Sequence, residues 1–195
     1  MLNEQLQNYH LILASGSPRR QQFFKELGLD FEIRLKEIEE VYPPHLQASE
    51  ITDYLAELKA SAFTSELNPN DILVTSDTIV WHQNECLGKP KDYQDAFQML
   101  QKLSAGTHQV ITSVCLKSNE KSETFHAITH VTFKPLTDNE IRYYLDHYQP
   151  FDKAGSYAIQ EWIGYIGITK IEGSYTNVVG MPMQLVYNKL LNFAI

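Results

Sequence analysis

An α/β fold, a mixed sheet with flanking helices, is what this sequence predicts, and three observations predict it. Short apolar runs alternate with amphipathic helical stretches through the first half of the chain. From Gln109 to Phe133 the pattern switches to period two around a polar turn, Ser118-Asn119-Glu120-Lys121, as in a long hairpin. Helical periodicity then returns. The central hairpin argues against a purely parallel sheet.

Taken in order, Leu11 to Ala14 reads as a buried strand. A helix follows from Pro18, with Ser17 as an N-cap whose hydroxyl can accept a free N–H and Gly28 as its stop. Phe31 to Leu35 alternates apolar and charged residues, which suits a half-exposed strand, and Lys36 to Pro44 is an acidic, proline-bearing loop. Ser49 is placed to cap a long helix with Ile51, Leu55, Leu58 and Ala62 on one stripe. Ile72 to Thr75 forms a short strand ending at Ser76-Asp77-Thr78, and Ile79 to Trp81 runs on towards a turn near Asn84. Asp92 caps a helix carrying Ala96, Met99, Leu100 and Leu103, which Ser104-Ala105-Gly106 ends. Thr137 and Glu140 form a capping box for a helix with Ile141, Tyr144, Leu145 and Tyr148, closed by Pro150. Tyr165 to Ile171 is the last strand and Pro182 to Phe193 the last helix.

At 195 residues, 43% hydrophobic and 11% aromatic, the chain suits one globular domain, or one domain folded as two lobes around a cleft. Repeats, low-complexity tracts and linkers are absent, so residues 1–195 read as a single domain. A net charge of −8 disfavours nucleic acid and acidic membranes as partners, which need a basic face. No stretch reaches the ~20 apolar residues that span a bilayer. The first residues lack the basic start and apolar run of a secretion signal. Cys86 and Cys115 have no metal-ligand spacing and read as reduced thiols of a cytoplasmic protein. The scattered histidines make no zinc pattern.

Chemistry concentrates in a few places. Ser15-Gly16-Ser17-Pro18-Arg19-Arg20 runs from a strand through a small-residue turn into a helix. It offers backbone N–H groups, hydroxyls and two guanidinium forks at a positive helix end, a seat for phosphate. Asp77 falls at the end of a strand, a preferred place for catalytic groups in α/β sheets. In the acidic loop, Glu37, Glu39 or Glu40 could share Mg²⁺ with Asp77, since such hard ions favour carboxylate and phosphate oxygens. Lys59 and Lys89, the latter between Gly88 and Pro90, add cations, and Asp152 to Gln160 is a small-residue loop ending in an amide. Together these are the parts of a triphosphate site. A regulator that binds nucleotide without turnover, and a nucleic-acid module, are the rival classes.

In these residues the chain resembles the Maf family of nucleoside triphosphate pyrophosphatases. The resemblance is carried by Ser15 to Arg20, Glu40, Leu55-Ala56-Glu57-Leu58-Lys59-Ala60, Ser76-Asp77-Thr78, Gly88-Lys89-Pro90 and Asp152 to Gln160. It departs at Ser156 and Ala158, where smaller or glycine residues are expected, and near Trp162, which lacks some of the usual glycines. The resemblance implies a mixed α/β fold of two lobes, like inosine triphosphate pyrophosphatases, with the active site in the cleft. It also implies a cytoplasmic enzyme, often homodimeric, that uses Mg²⁺ or Mn²⁺ to cleave a nucleoside triphosphate into monophosphate and pyrophosphate. Asp-Thr at the strand end and Gln in the last loop resemble the branch acting on dTTP and UTP. By this likeness Asp77 corresponds to the proton acceptor and Glu40 matches the metal site; with Glu40 as its partner, Asp77 can serve as base, metal ligand or both. Ser15, Arg20, Lys59 and Lys89 match phosphate-binding positions, and Arg19, Thr78 and Gln160 match positions of base choice.

Overall fold

The computed structural model describes residues 1–193. Its strands are β1 (His10–Leu13), β2 (Glu32–Ile33), β3 (Asp71–His82), β4 (Glu85–Leu87), β5 (Thr107–Lys117), β6 (Ser122–Phe133) and β7 (Ile168–Glu172). Its α-helices are α1 (Leu2–Gln5), α2 (Pro18–Glu26), α3 (Ser49–Ser61), α4 (Tyr93–Leu103), α5 (Asp138–Tyr148), α6 (Trp162–Gly167), α7 (Tyr175–Val179) and α8 (Met183–Phe193). The strands pair in the order β2-β1-β3-β5-β6-β7, with β4 also on β3. β1 runs parallel to β2 and β3, whereas β3/β4 and β6/β7 are antiparallel. The sheet is mixed, as the hairpin requires. Two compact units divide the chain: Met1–Asp77, Thr112–Ala127 and Gly180 onward, then Thr78–Ile111 and Ile128–Val179.

In the first unit, strand alternation sorts two apolar layers. Leu11 and Leu13 of β1 and Ile72 and Val74 of β3 pack with Phe24 of α2 and Val186, Leu190 and Phe193 of α8. Ile12 and Leu73 belong to the other layer, with Ala56 and Ala60 of α3 and Phe63 just beyond it. Both faces are covered, which is why these strands read as unbroken apolar runs. Each fully buried large side chain contributes about 1.5–3 kcal/mol.

Polar groups continue what the apolar ones begin. Leu73, Thr75 and Asp77 share a face of β3, and the Thr75 hydroxyl donates to the Ala56 carbonyl of α3 at 2.6 Å. Ser113 Oγ on β5 lies 2.6 Å from both Thr52 Oγ1 and Asp53 Oδ1 of α3, its one proton donated to the Asp53 carboxylate. Helix α3 is thus pinned to two strands, to β3, which carries Asp77, through Thr75 and to β5 through Ser113.

The second unit has its own core. Ala96, Met99, Leu100 and Leu103 of α4, Ile141, Tyr144 and Leu145 of α5 and Ile163 of α6 pack with Val80, Val110, Val131 and Phe133 of the strands. Gly155 (φ 65) and Ser156 (φ 61) are successive left-handed residues, and a Cβ on Gly155 would meet Val80 Cγ2 at 2.7 Å. Ser156, one of the two positions where the resemblance expects smaller or glycine residues, bears this conformation with its hydroxyl donating to Met99 Sδ at 3.2 Å.

His108 is buried in this unit, 2.7 Å through Nε2 from the Tyr157 hydroxyl, with no partner at Nδ1. Burial, reinforced by His82, pushes its pKa from 6.5 down to about 3. The unfolded chain takes up this proton below its ordinary pKa and the folded chain does not, so this contribution to stability is present above pH 6.5 and is lost progressively between pH 6.5 and 3. His108→Gln, which keeps a polar partner for Tyr157, is expected to flatten the acid slope of stability by about 1.4 kcal/mol per pH unit. Urea titrations at pH 6.5, 5.5 and 4.5 would show it; parallel slopes in both proteins would remove His108 from acid stability.

Several local expectations change. Ser17 sits at the N-cap but makes no side-chain cap bond, and its N–H instead donates to Ser15 Oγ at 3.3 Å. The N-cap of α3 is Ala48, one residue before Ser49, and the Glu50 carboxylate accepts from Gln47 N–H at 3.0 Å. The second strand shrinks to Glu32–Ile33, because Phe31 turns edge-on to Phe24 and Glu32 pairs with Arg34. Tyr165 lies in α6, not a strand: the Glu161 carbonyl accepts from Gly164 and Tyr165 N–H and opens a helical turn there. β3 does not end at Ser76-Asp77-Thr78 but runs through to His82, since α3 supplies partners for its polar side chains.

Candidate active site

β1 delivers Ser15 to a turn, and Gln21 of α2 fastens it by donating Nε2–H to the Ser15 carbonyl at 3.0 Å. The Ser15 hydroxyl accepts from Ser17 N–H, which folds the Ser15-Gly16-Ser17 segment back on itself. Arg20, in the first turn of α2, points inward. Its Nε donates to the Gly180 carbonyl at 2.8 Å, and Nη1 to the Ser76 carbonyl at 3.0 Å and the Ser15 hydroxyl at 3.5 Å. This fork therefore holds the peptide bond directly before Asp77. Burial lowers the Arg20 pKa from its usual high value, against the attraction of Asp77. Arg19, beside it on the helix, is half-buried.

At the end of α3, the Lys59 ammonium lies 2.7 Å from Asp77 Oδ1 and 3.0 Å from Glu40 Oε1. The Asp77 side chain is only 10% exposed, the Glu40 side chain 47%. Of the three acidic-loop carboxylates, Glu40 is the one that meets Lys59. Lys36 anchors the start of that loop, donating to the Ala62 carbonyl and to Glu66 and lying over the Phe63 ring. The first unit thus gathers Ser15, Arg20, Glu40, Lys59 and Asp77, residues distant in sequence. The Ser76 hydroxyl beside them is buried without a partner.

Three further expected residues belong to the second unit. Thr78 follows Asp77 on β3 and is half-buried, while Lys89 is exposed. The Gly88 carbonyl accepts from Gly155 N–H at 3.0 Å, which joins the Lys89 segment to the Asp152–Gln160 loop. Gln160 lies in a turn closed by Glu161 N–H donating to the Ala158 carbonyl at 3.1 Å. Its side-chain oxygen Oε1 is buried with no hydrogen-bond partner. A lone buried acceptor is costly, by about 1–3 kcal/mol, and invites a donor from a ligand.

Two carboxylates on one ammonium suit a hard divalent ion, which takes one or two carboxylates and fills its remaining positions with phosphate and water. Among the described residues no group of three or more His, Cys, Asp or Glu side chains is arranged to hold a metal. The donor set fits an ion brought with phosphate better than an all-protein cage. Sequence reasoning missed Gln21 and Thr75, whose roles are bonds to backbone carbonyls and leave no motif.

The family described as Maf-like protein matches residues 10–193. A dTTP/UTP pyrophosphatase of Flavobacterium psychrophilum is 68% identical over 192 residues, 98% of this chain and 98% of its own length. One from Flavobacterium johnsoniae is 63% identical, covering 97% of this chain and 98% of its own. Among solved structures, the Staphylococcus aureus Ham1 protein superposes with a TM-score of 0.56 over 94% of this chain and 99% of that one. At 14% identity that likeness concerns the fold alone.

Proposed function

Because this chain belongs to the Maf family, we propose that it hydrolyses dTTP and UTP to the nucleoside monophosphate and pyrophosphate. The observation that carries the reading is the Lys59 ammonium shared by Asp77 and Glu40 beside the Ser15–Arg20 turn. A triphosphate brings close to four negative charges, so positioning and charge neutralisation do most of the work. Lys59, Arg20 and the Ser15 turn of the first unit hold the phosphates, and Lys89 keeps the phosphate-binding role its family position implies. Asp77 orients a water towards the α-phosphorus and takes its proton. The bond from that phosphorus to the bridging oxygen breaks, and pyrophosphate leaves with the electron pair.

Glu40 and Asp77 are the carboxylates that would hold a divalent ion, which supplies charge neutralisation at the phosphate oxygens when bound. Base choice falls to Arg19, Thr78 and Gln160. The unpartnered Gln160 Oε1 supports this, because uracil and thymine offer an N3–H to accept and cytosine has none. The proposal takes residues 1–195 as one catalytic domain acting as a cytoplasmic homodimer. The net charge of −8 supports nucleotides over nucleic acid as partners. Among the described residues no helix is long and apolar enough to cross a membrane.

A panel of triphosphates assayed for both products tests the reading. dTTP and UTP are expected to yield monophosphate and pyrophosphate in equal amounts, at least tenfold faster than dCTP and CTP. EDTA is expected to stop turnover and Mg²⁺ or Mn²⁺ to restore it. Tight nucleotide binding without pyrophosphate would replace the enzyme with a binder.

A further inference from the structure

Gln160 sits near the end of a four-residue turn, Ala158-Ile159-Gln160-Glu161, and one phenol grips both ends of it. The Tyr144 hydroxyl, from the buried face of α5, accepts Ala158 N–H at 3.1 Å and donates to Glu161 Oε2. The other Glu161 oxygen faces Lys153 at 3.5 Å, and Lys153 also pairs with Asp152 at 2.7 Å. Inside the turn, Glu161 N–H closes onto the Ala158 carbonyl at 3.1 Å. Outside it, the Tyr165 hydroxyl donates to the Gln160 carbonyl at 2.6 Å. The turn also rests on bare backbone: a Cβ on Gly164 would fall 1.9 Å from the Ile159 carbonyl oxygen.

This is much fixing for four residues. Tyr144 has no exposed surface, so its hydroxyl must be satisfied from within, and it is satisfied entirely by this turn. Burial and the adjacent Glu161 carboxylate hold the phenol in its protonated, donating form. The amide carried between the gripped ends has its oxygen unpartnered. A mobile turn would carry that oxygen away from the base edge it must meet, and so weaken the distinction between pyrimidines. A fixed main chain limits where the amide can go.

We propose that Tyr144 and Glu161 form a clamp that positions Gln160 for base selection, making them positioning residues that act on specificity through Gln160. The proposal rests on the reading of the chain as a dTTP and UTP pyrophosphatase. Neither residue belongs to the motifs that suggest that activity. Glu161 directly follows Gln160 and is the N-cap residue of α6.

The test compares kcat/KM for dTTP with kcat/KM for dCTP in the full-length protein. Tyr144→Phe removes only the hydroxyl and strands the Ala158 N–H, and is expected to lower that ratio about fivefold to tenfold. Loss of folded protein alone lowers both rates together and leaves the ratio unmoved. Glu161→Leu is expected to lower the ratio in the same way. Glu161→Gln, which keeps an acceptor for the Tyr144 hydroxyl, is expected to preserve most of it. If Tyr144→Phe does not fold, the two Glu161 variants decide. A ratio unchanged in Glu161→Leu, or lost equally in Glu161→Gln, overturns the clamp while leaving the enzyme reading intact. A wild-type protein with no preference for dTTP sinks the enzyme's base choice first, and the clamp with it.

Discussion

Asp77→Asn is expected to lower pyrophosphate release from dTTP by about 10³-fold, the middle of the range for a lost general base. The substitution keeps the shape of the side chain, and because it also removes one of the two carboxylates that would hold a divalent ion, the rates are compared at saturating Mg²⁺. Asparagine keeps an oxygen where Asp77 Oδ1 accepts from Lys59 at 2.7 Å, and Lys59 keeps Glu40 at 3.0 Å. The peptide bond before residue 77 stays anchored through the Ser76 carbonyl on Arg20. The turn and the phosphate cations are therefore undisturbed, and the loss is expected in kcat with KM for dTTP changed less than threefold. The melting temperature serves as a control and is expected to fall by only a few degrees. Turnover within tenfold of wild type would take Asp77 out of proton transfer and leave it a partner for Lys59.

Much of this site was legible in the sequence, and what was not has a common cause. The Ser15–Arg20 turn, Lys59 and Asp77 announce themselves because phosphate chemistry needs particular side chains at particular strand and helix ends. Their meeting was less legible, since it depends on alternation along β3. Only when Asp71–His82 is one strand do Leu73, Thr75 and Asp77 share the face covered by α3. Read as two short strands, the same residues put Asp77 at a strand end. Local polarity suggested the break, and tertiary partners overrode it. Arg20 shows the same limit. Its charge pointed to phosphate, yet two of its bonds go to the Ser76 and Gly180 carbonyls, which no motif encodes. Backbone acceptors are invisible in a sequence because every residue has one. Periodicity places Tyr144 in the core face of an amphipathic helix, as the structure does, but no periodicity encodes the bonds of its hydroxyl.

Lys59→Met separates the two tasks of the central cation. Methionine matches the length of the stem and keeps the packing of α3, but removes the charge from between Asp77 and Glu40. Turnover of dTTP is expected to fall by about 10²–10³-fold, the effect of removing one preorganised group that stabilises charge on the reacting oxygens. Stability is expected to fall too, by about 1–3 kcal/mol. That is below the ~3–5 kcal/mol for breaking a fully buried pair, because Glu40 is half-exposed and water screens it. Lys59→Arg restores the charge as a planar fork instead of a compact ammonium, so it is expected to recover stability more than activity. Measuring urea midpoints beside kcat/KM in both variants tells the tasks apart. If Lys59→Met lost stability but hydrolysed dTTP at the wild-type rate, Lys59 would be a brace between two acidic side chains and no part of the phosphate site.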